Sequence, residues 1–81
     1  MLTTGPQLRA ARSMAALTRD ELALAASVGP ATVTRLEAEA GRLPATLATL
    51  DSLTRVLEAA GVQFTEDGVR ARRPIPGSRR K

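Results

Sequence analysis

The chain of 81 residues contains no cysteine and no histidine, and its only aromatic residue is Phe64. Without cysteine there is no disulfide and no thiolate metal site, which fits a reducing cytoplasm. Without histidine the commonest metal ligand and the commonest general base are both gone. With no carboxylates clustered in a plausible pocket either, an enzyme is not expected, nor is a metal or other cofactor. A single phenylalanine leaves no series of aromatic platforms on which single-stranded bases could stack. Apolar stretches are broken by charge within a few residues, so no membrane span is expected. The opening MLTTGPQLRAAR lacks the hydrophobic run of a signal peptide.

What remains is a small domain built on leucine, valine and alanine, with a marginal core at this length. The net charge of +4 is unevenly placed. Residues 69–81, VRARRPIPGSRRK, hold six basic groups and no acid, whereas the other 68 residues hold six basic groups against eight acids. A basic end suggests nucleic acid, or less often an anionic membrane surface. It also suits a solvated end that only aids solubility.

Punctuation divides the chain. Gly5-Pro6 opens a first helix, with Pro6 at its first position and Leu8, Ala11 and Ala15 at core spacing. Thr18-Arg19-Asp20-Glu21 is a capping box. It starts a second helix whose apolar side is Leu22, Ala25 and Ala26, with Ala23 toward the next element. Ser27-Val28-Gly29 forms a turn, and Pro30 begins a third helix running to about Ala38, which the loop from Glu39 to Pro44 ends. A fourth helix is predicted over about 45–60, with Leu47, Leu50, Leu53, Val56 and Leu57 inward and Gly61 as its C-cap. Alternation in 62–65 and 69–72 around Glu66-Asp67-Gly68 predicts a hairpin. Pro74-Ile75-Pro76-Gly77 ends regular structure. The domain is therefore placed at 1–73, with 74–81 as a disordered basic tail.

On a helical wheel with Val33 inward, Leu36 and Glu37 share its side within about 60°. Ala31, Arg35 and Ala38 then face outward, flanked by Thr32 and Thr34. Such a face is small, carries one charge, and can approach another surface closely. Two short helices joined by a three-residue turn match a helix-turn-helix, whose second helix enters the DNA major groove.

From Leu8 to about Leu57 the chain resembles the Cro/repressor-like (XRE) helix-turn-helix family of transcription regulators. The resemblance is carried by Leu8-Arg9-x-x-Arg12, by Leu17-Thr18-Arg19-Asp20-Glu21-Leu22-Ala23, by Val28, and by Thr32-Val33-Thr34-Arg35-Leu36-Glu37. The ending LEAAGVQF with a short strand pair resembles a subset of small bacterial members. Three features depart from the pattern: Arg19 stands where the family usually has Gln, Ser27 where it usually has Gly, and the loop 38–46 is longer than usual. The resemblance implies a mainly α bundle of four to five helices, like that of the phage lambda repressor, with a C-terminal β-hairpin.

It also implies site residues. Arg12 and Glu37 would pair and tie the first helix to the third; the alternative is two unrelated surface charges. Arg19, Thr18, Arg42 and Arg9 would meet the DNA backbone. Base reading would fall to Pro30, Ala31, Thr32, Thr34 and Arg35. Arg35 suits guanine O6 and N7, and Ala31 with the Thr32 methyl suits thymine methyls. A phosphate contact stays open for both Arg35 and Thr34.

Double-stranded DNA is thus the expected partner. A homodimer is expected too, because recognition helices about 34 Å apart read an inverted repeat. Its interface would lie on the fourth helix and hairpin, at Leu57, Val62, Phe64 and Val69, unless the hairpin only caps its own subunit. The expected role is a cytoplasmic, bacterial or phage-type repressor or activator, with no membrane or small-molecule ligand. An antitoxin or protein-interaction module using the same domain is the alternative.

Overall fold

The structure, a computed structural model, describes residues 2–66 and 68–71. In chain order it contains α1 (Gly5–Met14), α2 (Arg19–Ala26), α3 (Pro30–Glu37), α4 (Leu47–Ala59), β1 (Val62–Phe64) and β2 (Val69–Ala71). Four helices and a two-stranded antiparallel hairpin make a mainly helical domain. The expected tail at 74–81 lies outside the described residues.

Helix starts follow local chemistry. Thr4 caps α1, its oxygen accepting from the Gln7 amide, so the helix begins at Gly5 and Pro6 occupies its second position, one later than the sequence suggests. Thr18 caps α2 in a reciprocal box: the Glu21 amide donates to Thr18 Oγ1 at 3.0 Å, and the Thr18 amide donates to Glu21 Oε1 at 2.8 Å. After α2 the chain turns through Ser27 in the left-handed region (φ 59°), and the Val28 amide reaches back to the Ala23 carbonyl at 2.9 Å. That sharp reversal lets Pro30 start α3 three residues later.

Leu8, Ala11, Leu22, Val33, Leu36, Leu53, Leu57 and Val62 are fully removed from solvent and form one core. Two expectations need correction. Ala25, expected on the apolar side of α2, is exposed, whereas Ala23 is buried in keeping with its expected place toward the next element, because α2 packs against both α3 and α4. Leu47, expected in the inward stripe of α4, is 65% exposed: it is the first residue of the helix, and burial is complete only further along, at Leu53 and Leu57.

The loop 38–46 is held rather than free. Leu43 donates to the Thr3 carbonyl at 2.8 Å and Gly5 to the Gly41 carbonyl at 3.2 Å, while Leu2 and Leu43 join the core. A Cβ at Gly5 would lie 2.0 Å from the Glu39 carbonyl oxygen and 2.8 Å from that of Leu36. The start of α1 therefore abuts the end of α3, and only glycine allows it.

The hairpin pairs Val62 with Ala71, Gln63 with Arg70 and Phe64 with Val69. Gln7, almost wholly buried, fixes its turn to α1: its Nε2 donates to the carbonyls of Thr65 and Gly68, both at 3.0 Å, and its Oε1 accepts from the Thr3 amide at 2.7 Å.

Candidate nucleic-acid interface

α2 and α3 are eight residues each, too short to persist alone, so the orientation of α3 is set by what it packs on. Val33, Leu36 and Glu37 are its buried face. The opposite side leaves Pro30, Ala31, Thr34, Arg35 and Ala38 exposed and Thr32 half-buried. No large side chain rises from this surface apart from Arg35.

Behind that surface Glu37 is the electrostatic hub. Arg12 Nε donates to Glu37 Oε2 at 2.5 Å, and Arg12 Nη2 to Oε1 at 3.1 Å. The third nitrogen of Arg12, Nη1, donates to the Leu17 carbonyl at 3.0 Å. One guanidinium thus joins α1, α3 and the connection between α1 and α2. Arg19 adds a bond that its sequence position did not reveal, its Nε donating to Glu37 Oε1 at 3.2 Å. Burial opposes the charge of Glu37, but hydrogen bonds from Arg12 and Arg19 outweigh it and hold the carboxyl below its ordinary value. The bond to Glu37 likewise raises the Arg12 pKa, against the opposing effect of burial.

Arg12, Thr18, Arg19, Asp20 and Thr34 line an open cleft between the start of α2 and the outer side of α3. Four of the residues expected at the site meet there or at its edge: the cap Thr18, Arg19, the paired Arg12 and Thr34. Arg9 and Arg42 are exposed but elsewhere, Arg42 in the loop after α3 where it bridges to Thr4. The residues expected at a dimer face divide. Leu57 and Val62 have no exposed surface, since both belong to the core of this domain; that part of the expectation is corrected. Phe64 and Val69 pack on the same core but stay partly exposed.

Two short helices joined by a tight turn, the second presenting a small exposed face, define a helix-turn-helix, a DNA-binding fold. The chain belongs to the helix-turn-helix domain family, whose model matches residues 5–66. Comparison with curated proteins finds no match. No helix among the described residues is long and apolar enough to cross a membrane, and no group of potential metal ligands occurs among them.

Proposed function

We propose that the protein is a sequence-specific regulator of transcription that binds double-stranded DNA as a homodimer on inverted-repeat operators, with α3 in the major groove. The observation that carries this reading is the outer face of α3. Pro30, Ala31 and Thr34 keep it low, so the helix can lie deep in a groove about 12 Å wide, and Arg35 is its one long donor. Arg35 reads guanine in this arrangement, Ala31 and Thr32 offer methyl groups to thymine, and Thr18, Arg19, Arg9 and Arg42 meet phosphates. Of the residues expected at a dimer face, partly exposed Phe64 and Val69 are the ones available to a second subunit. A cytoplasmic location follows from this role.

The test is selection of bound sequences from a random duplex pool, followed by titration of Arg35→Ala on the selected site and on random DNA. The substitution is expected to cost about 1–3 kcal/mol on the selected site and much less on random DNA. Equal losses on both would reduce Arg35 to a phosphate contact. Failure to enrich any sequence would overturn the sequence-specific reading.

A further inference from the structure

Glu37 receives two guanidinium groups, and they are not equivalent. Arg12 has a side chain 18% exposed and spends all three of its nitrogens on protein acceptors. Arg19 is 50% exposed and spends only Nε. Its Nη1 and Nη2 have no partner among the described residues, and it borders the open cleft with Thr18, Asp20 and Thr34. A guanidinium has two edges that fit an oxyanion: the side edge, Nε with one Nη, and the end edge, Nη1 with Nη2. With Nε committed to Glu37, the end edge is the one left to offer.

We propose that Arg19 is a tethered phosphate grip: Glu37 holds its Nε so that its Nη1–Nη2 edge meets a DNA phosphate at the start of α2. This rests on the DNA-binding reading above and deepens it. Glu37 belongs to α3, so the carboxylate that anchors the reading helix also aims a backbone contact made from α2. Grip and reading are thereby held in one geometry. Lysine cannot serve both ends, because its single ammonium reaches either the carboxylate or the phosphate with full strength. Asp20, the one acid lining the cleft, disfavours an approaching anion and makes a fixed aim more valuable.

The experiment measures binding to a random-sequence duplex of about two helical turns, as a function of salt, together with nitrogen NMR of the arginine Nε–H groups. In the free protein, the Arg19 Nε–H is expected to exchange with water more slowly than that of Arg35. Arg19→Gln is expected to lower the slope of log affinity against log salt by about 0.9 per subunit. Arg19→Lys should keep the slope yet bind about tenfold more weakly, and that penalty should shrink in a Glu37→Gln background. A brace that never touches DNA would lower the melting temperature of Arg19→Gln and leave its salt slope unchanged, which overturns the proposal. Arg19→Lys binding as tightly as the wild type, or an Arg19 Nε–H exchanging as fast as that of Arg35, overturns the tether while DNA binding stands. A wild-type protein that binds no duplex removes the DNA-binding reading, and the grip with it. Should Glu37→Gln fail to fold, the exchange measurement still decides the tether.

Discussion

Glu37 is a buried carboxylate whose charge survives only because two arginines serve it. Held below the ordinary glutamate value of 4.5, it binds its proton less readily when folded than when unfolded. Its charge therefore contributes stability that is complete at neutral pH and disappears as pH falls from 4.5 through the lower folded value. Glu37→Gln is expected to destabilise the protein by roughly 1–3 kcal/mol near neutrality. In thermal melts from neutral to acidic pH the gap from wild type should close only below the glutamate range; a gap independent of pH would show that the charge contributes nothing. Backbone strain is a second residue-level property. Ala16 has φ 58° at the end of α1, a left-handed conformation that costs a side chain about 1–2 kcal/mol. Ala16→Gly relieves it while adding freedom to the unfolded chain, so a net gain of about 0.5–1 kcal/mol is expected. A urea midpoint that falls instead of rising would contradict this.

Elements of this domain depend on one another more than on their own propensities. α2 and α3 are held between α1 and α4, and the hairpin is held through Gln7. An isolated two-stranded hairpin is marginal in water, so the apolar side of β1 and β2 needs a cover. Val62 finds it wholly within its own domain, whereas Phe64 and Val69 are covered in part. The proposed dimer therefore has a small apolar contribution from the hairpin. Phe64→Asp is expected to leave the helical circular dichroism in place, shift sedimentation toward monomer and weaken binding to a two-half-site operator. Sedimentation unchanged from wild type would place the contact on another element.

Across the whole molecule the decisive property is where charge sits along the chain. The six basic groups of residues 69–81 face no acid in that segment, while the preceding residues carry an excess of two acids. If the end of the chain meets phosphates, it does so without reading bases, and each contact adds about 0.9 to the salt slope. Deletion of residues 74–81 is expected to weaken binding to selected and random duplexes by similar factors and to lower the slope by roughly two to six per dimer. Retention of the full slope would make this end a solubility aid. Loss of discrimination between sites would instead show that it enters a groove.

Helix starts were legible in the sequence because they rest on contacts within one turn: Thr18 with Glu21, Gly29 before Pro30, and the period that puts Val33, Leu36 and Glu37 on one side. The exposed face of α3 follows from that same period. Leu57 and Val62 were read correctly as apolar but wrongly as interface, since periodicity marks a buried side without saying what buries it. The exposure of Ala25 and Leu47 and the closure of Gly5 on the end of α3 required the packed arrangement. So did the addition of Arg19 to the Arg12–Glu37 pair that the family resemblance implied. A capping box is a local equilibrium of a few neighbouring groups, and composition with period suffices to find it. A hub of three charges from three helices exists only after the helices are docked, so tertiary structure alone decided that Arg19 joins the carboxylate that Arg12 was expected to meet.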